Sequence, residues 1–212
     1  MTADRLVLWR HGQTDWNTSG RFQGQADIPL NETGLEQARD AARVLATLGP
    51  VELWSSDLTR TRQTAAALSE ATGLEPRLDE RLREVHVGTW EGLRGDEIQA
   101  VEPEAWAGLR RGEDVRRSAT GETVSEVGER VAGALVEIAA QAPDNSTVVV
   151  TTHGLAGRAG LCRLLDLPFG LWRTFGSLDN CAWSVLHRHH AGGYWRVAEH
   201  NVRPLSVRET IS

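Results

Sequence analysis

Hydrophobic positions along the chain follow two alternating patterns. Three short stretches, Arg5 to Trp9, Val51 to Trp54 and Thr147 to Thr152, have the length and β-branched or bulky content of buried strands. Between and after them the apolar spacing becomes helical. Leu35, Ala38, Ala42 and Leu45 follow Asn31, a helix-capping residue, and Gly49-Pro50 ends that run. Leu58, Ala65 and Leu68 mark a second helix that Gly73 closes, with Ser55, Ser56 and Asp57 expected to cap it. Val124, Val127, Val131, Leu135 and Ile138 mark a long helix opened by Gly121-Glu122-Thr123, and another helix is expected from Gly154 to about Leu165.

The remaining stretches are less regular. Residues 10 to 29 read as one long loop, and loops of that length inside a domain usually carry function. Residues 76 to 92 read as irregular, with a short strand near Arg77-Leu78. Residues 93 to 120 read as two short helices and a polar loop. Two strands, Cys181 to Leu186 and Tyr194 to Ala198, are expected around a HRHHAGG hairpin, and the tail from about Pro204 reads as frayed. No repeat or linker divides the chain, so one domain over residues 1 to 212 is expected. The βα succession predicts a three-layer α/β/α sandwich with a mostly parallel central sheet.

Composition narrows the choice of partners. The 212 residues carry 25% charged and 40% hydrophobic side chains, the balance of a globular protein. A net charge of −6 supplies no broad basic field, which argues against a nucleic-acid or anionic-membrane partner. All 23 basic residues are Arg. Schiff-base lysine chemistry and a P-loop lysine are therefore excluded, and any anion must be gripped by guanidinium. Cys162 and Cys181 form no CxxC pair and read as reduced core thiols. With no signal pattern and no apolar run of membrane length, a cytoplasmic protein is expected. His187, His189 and His190 resemble a metal cluster, but neighbours on a strand face opposite ways, so no metal site is expected there.

Chemistry concentrates where strands end. Arg10 and His11 follow the first strand, Arg60 sits in the first helical turn after the second, and His153 follows Thr152. Ligands of open α/β sheets sit beyond the carboxyl ends of strands, and a helix N-terminus adds partial positive charge. Two guanidinium groups there would neutralise a phosphate monoester while an imidazole attacks phosphorus. His153 could add a hydrogen bond, strongest if protonated. The attacking histidine would need its other ring nitrogen held by a backbone carbonyl. One carboxyl group outside the arginine cage could protonate the leaving group and then activate water.

RHGQT (10 to 14), SSDLTRT (55 to 61), LREVHVGTWEG (82 to 92) and THG (152 to 154) resemble the histidine phosphatase superfamily, in its phosphoglycerate mutase-like branch. The likeness covers nearly the whole chain in the family's order. It implies that His11 is the phosphorylated residue, that Arg10, Arg60 and His153 complete the phosphate pocket, and that Glu84 is the general acid and base. It further implies that Asn17 lies near the phosphate and that Gln23 and Gly24 contact substrate. No cofactor or metal is expected. The expected partner is a small-molecule phosphoester, and a homodimer is among the expectations.

Within the family, mutases carry a longer insertion after the general-acid motif and typically a Tyr where this chain has Val87. Both departures favour hydrolysis over a cofactor-dependent phosphoglycerate mutase. A non-catalytic phospholigand-binding domain is the reading from another class, and the five catalytic positions argue against it. Glucosyl-3-phosphoglycerate is one expected substrate, with α-ribazole phosphate and sugar phosphates as others. The clustered Arg110, Arg111, Arg116 and Arg117 offer a second anion site, Arg116 and Arg117 foremost, or else a solvated face.

Overall fold

A computed structural model describes residues 2–189 and 193–204. Its strands are β1 (Arg5–Arg10), β2 (Pro50–Ser55), β3 (Arg77–Leu78), β4 (Thr147–Thr152), β5 (Trp183–His189) and β6 (Tyr194–Val202). They form one sheet in the order β3-β2-β4-β1-β5-β6. The first four run parallel, and β5 and β6 add an antiparallel edge. Arg10 lies opposite Thr152, and Ser55 lies opposite Thr151. The carboxyl ends of β2, β4 and β1 therefore reach the same level side by side, and the segments leaving them share one space.

Pleating sends successive side chains to opposite faces. Leu6, Leu8, Val148 and Val150 pack with Val127, Val131 and Leu135 of α6 (Val124–Gln141) and Ala156 and Ala159 of α7 (Gly154–Leu164). Val7, Trp9, Leu53 and Val149 pack with Ala38, Ala42 and Leu45 of α2 (Glu32–Ala46) and Ala65 and Leu68 of α3 (Thr59–Thr72). Because strands are covered on both faces, they read as continuous apolar runs, and the three-layer sandwich follows. Asn31 caps α2 as expected, its side chain accepting from Gly34 N at 2.9 Å. The two short helices expected within 93 to 120 are α4 (Gly95–Val101) and α5 (Pro103–Arg111).

Several expectations need correction. The long loop after β1 contains a helical turn, α1 (Asp15–Thr18), closed by a reciprocal Thr14–Asn17 capping box. Ser55, Ser56 and Asp57 do not supply the expected cap of α3. Asp27, from the same long loop, accepts from Thr59 N at 2.6 Å and Thr59 Oγ1 at 2.8 Å, while Asp57 pairs with Arg83. The C-terminal strands begin or end later than expected, because β5 and β6 pair with each other as far as Val202. His187 lies on β5, and the His189 ring stacks on Tyr194 with centroids 4.7 Å apart. His190, and the tail from residue 205, lie outside the described residues. Among the described residues, no three His, Cys, Asp or Glu side chains group to hold a metal, and no helix is long and apolar enough to cross a membrane.

Candidate active site

β1 delivers its last residues to the rim of the sheet. His11 N donates to Thr152 O at 3.0 Å, and His11 O accepts from Cys181 N and Asn180 Nδ2, each at 3.2 Å. The following turn is pressed against α2, since a Cβ on Gly34 would lie 2.1 Å from Gln13 O. His11 Nδ1 lies 2.7 Å from Gly12 O, the bond expected of an attacking histidine. A protonated Nδ1 donating there leaves Nε2 with its lone pair. Burial, reinforced by Arg60 and Arg10, holds the His11 pKa well below 6.5, so the ring is neutral at pH 7.

Arg60 is wholly buried in the first turn of α3. Its Nη1 donates to Ala26 O at 2.6 Å, its Nη2 to Gly24 O at 2.8 Å and its Nε to His153 Nδ1 at 3.3 Å. Gly24 serves this geometry: its φ is +53°, and a Cβ would come within 2.5 Å of Val87. Burial lowers Arg60 to about 10, still a cation at neutral pH. Arg10 donates to Leu178 O at 2.6 Å, and its buried Nε has no partner.

His153 caps the sequence of strand ends. Its ring lies 5.2 Å from that of His11, edge to face. Burial, then Arg60, His11 and Arg10, push its pKa well below 6.5. The ring is therefore neutral at pH 7, without the strengthening that protonation would bring. Accepting from Arg60 at Nδ1, it carries its proton on Nε2, 3.1 Å from Ser56 Oγ.

Glu84 reaches the same space from the irregular segment. Its carboxylate accepts from Val85 N and Ala156 N at 2.9 Å each and from Leu155 N at 3.1 Å, at the start of α7. Its carbonyl is held by Arg130 Nη2 at 2.9 Å and Gln25 Nε2 at 3.1 Å. Arg130 also donates to the carbonyls of Arg81 and Arg83 and pairs with Glu122, so one guanidinium shapes the whole turn.

A cavity of about 270 Å³ is lined by Arg10, His11, Arg60 and Glu84 with Asn17, Gln23 and Gly24, whereas His153 does not line it and meets it through Arg60 and His11. Asn17 Oδ1 accepts from Thr14 and from Asn180 Nδ2, while Gln23 Oε1 is buried without a partner. The four clustered arginines disperse. Arg111 pairs with Glu113, Arg116 pairs with Glu126 at the surface, and Arg110 lines a separate groove beside Trp106. Arg117 alone of the four is buried. The supporting residues Ser56, Asp27, Asn180 and Arg130 were not anticipated; Ser56 lies inside the SSDLTRT stretch, whereas the others carry no local signal.

Comparison with known proteins identifies the family. The family model for the histidine phosphatase superfamily (branch 1) matches residues 6–203. Glucosyl-3-phosphoglycerate phosphatase of Mycobacterium tuberculosis is 40% identical over 201 residues, covering 91% of this chain and 89% of that protein. A probable phosphoglycerate mutase of Serratia proteamaculans is 37% identical, covering 85% and 83% respectively. The structure of mycobacterial glucosyl-3-phosphoglycerate phosphatase complexed with VO3 superposes with a TM-score of 0.86 at 38% identity, covering 94% of this chain and 99% of that one. The chain belongs to the histidine phosphatase superfamily. It is a phosphatase acting on small-molecule phosphate monoesters.

Proposed function

We propose that the chain hydrolyses its phosphomonoester in two displacements through a phosphohistidine on His11. Arg10 and Arg60 hold the phosphoryl oxygens, and His153 orients Arg60 by accepting its Nε–H at Nδ1. His11 Nε2 attacks phosphorus as the ester P–O bond breaks, and Glu84, entering as the acid, protonates the departing alkoxide. Water then gives a proton to Glu84 and attacks phosphorus, the P–N bond breaks, and inorganic phosphate leaves. The observation that carries this reading is the neutral His11 ring fixed through Nδ1 to Gly12 O, inside a pocket that buried guanidinium groups line.

Asn17, Gln23, Gly24 and Arg117 are proposed to contact the rest of the substrate, with residues 93–120 as the specificity region. Glucosyl-3-phosphoglycerate is the proposed substrate, on the likeness to the mycobacterial enzyme. The buried free thiols of Cys162 and Cys181 support action in the cytoplasm. The Serratia likeness favours mutase activity as a second reading, which robust interconversion of 3- and 2-phosphoglycerate would establish. Rapid quenching with phosphorus-labelled substrate tests the first. Acid-labile label is expected on the wild-type chain and none on His11→Ala; label persisting in that variant refutes His11 as nucleophile.

A further inference from the structure

The turn that carries Glu84 has no secondary structure of its own to hold it. From Arg83 to Val87 the chain is neither helix nor strand, so its carbonyls must find donors elsewhere. Arg130, on α6, supplies most of them. Its Nη1 donates to Arg81 O at 2.8 Å and to Arg83 O at 2.6 Å, and its Nη2 to Glu84 O at 2.9 Å. Its Nε and Nη2 also donate to the two carboxylate oxygens of Glu122, at 2.7 and 2.8 Å. All five N–H groups of one guanidinium are thus used. Thr152 Oγ1 takes the remaining carbonyl of the row, Leu82 O, at 2.9 Å.

Glu122 closes the arrangement. Its Oε2 accepts from His86 N at 2.8 Å, and its own N donates to His86 O at 2.8 Å. Burial works against its charge, but the bonds from Arg130 and His86 N hold its pKa below the usual carboxylate value. The two side chains therefore grip residues 81 to 86 on both sides of Glu84. Neither Arg130 nor Glu122 lines the catalytic cavity, so their contacts reach the reaction through the turn. The charge of Arg130 also bears on His153, an effect that any cation at this position preserves. General acid catalysis requires a carboxyl group within hydrogen-bond reach of the departing oxygen, and a displacement of about 1 Å can cost about a hundredfold.

We propose that Arg130, locked by Glu122, is the positioning residue for proton transfer by Glu84. A lysine keeps the charge but offers its donors from a single point, so it cannot hold three carbonyls and a carboxylate at once. The inference rests on the reading of Glu84 as general acid and adds the pair on which its placement depends. Its test compares kcat/KM on glycerol 3-phosphate, whose alkoxide must be protonated, with that on p-nitrophenyl phosphate, whose phenolate need not be. Arg130→Lys is expected to lower the alkyl-to-aryl ratio about 10- to 100-fold. Glu122→Gln, nearly isosteric, has the same expected direction and carries the test if Arg130→Lys does not fold. In a Glu84→Gln background neither substitution should lower the ratio further. A merely structural role predicts equal losses on both esters. Equal losses in the folded variants, or a further fall in the Glu84→Gln background, overturn the positioning role alone. A Glu84→Gln chain with the wild-type ratio, or wild-type protein inert on both esters, overturns the general-acid reading and the positioning role with it.

Discussion

Acidification should weaken the fold before any carboxylate titrates, and the two site histidines set the size of the effect. His11 and His153 are both buried beside Arg60, and both resist protonation well below 6.5 in the folded chain. In the unfolded chain they titrate near 6.5. Below that pH the unfolded state binds more protons, so stability is complete above it and falls with pH until the folded rings are reached. Each such proton is worth about 1.4 kcal/mol per pH unit, so between about pH 7.5 and about pH 5.5 the pair removes at most about 3 kcal/mol. For a chain of this size that corresponds to a fall in Tm of about 5–11 °C. Urea unfolding at the two pH values measures it. His11→Asn and His153→Asn should each reduce the loss by about half. Stability that is flat over this window, or a loss that neither variant diminishes, would refute the reasoning.

Glu84→Gln should lose far more kcat on esters with poor leaving groups than on p-nitrophenyl phosphate, whose phenolate needs no proton; equal losses measured on both would remove Glu84 from the acid role. Asp27→Ala deletes the side-chain cap of α3, so it should lower stability by about 1 kcal/mol and Tm by roughly 2–4 °C. Its kcat/KM should fall as well, since the same loop presents the Gly24 and Ala26 carbonyls that orient Arg60; calorimetry and steady-state kinetics check the two parts separately.

Legibility in the sequence followed the range of the interactions involved. Thr147 to Thr152 matched β4 residue for residue because a strand buried on both faces leaves a continuous β-branched run. Arg10, His11, Arg60 and His153 were findable because each lies at the carboxyl end of a strand or in the segment leaving it, and parallel strands in one sheet bring such ends together. The cap of α3 was misread because the local candidates, Ser55 to Asp57, had other partners, while Asp27 arrives from 32 residues away. A four-residue helix such as α1 is too short to show a period. Arg110, Arg111, Arg116 and Arg117 looked like one feature because they are neighbours in sequence. Helix geometry and nearby carboxylates sorted them, sending Arg116 to Glu126 and leaving Arg117 inside.

The backbone of His11 is fastened on two sides, to Thr152 of a parallel neighbour and to Cys181 in the turn that leads into the antiparallel β5. Both partners lie more than 140 residues further along the chain, so this anchorage breaks only when the centre of the sheet opens. Amide exchange at His11 should therefore be governed by global unfolding rather than by loop opening. The proposed nucleophile should then exchange its amide proton no faster than the centre of the sheet opens.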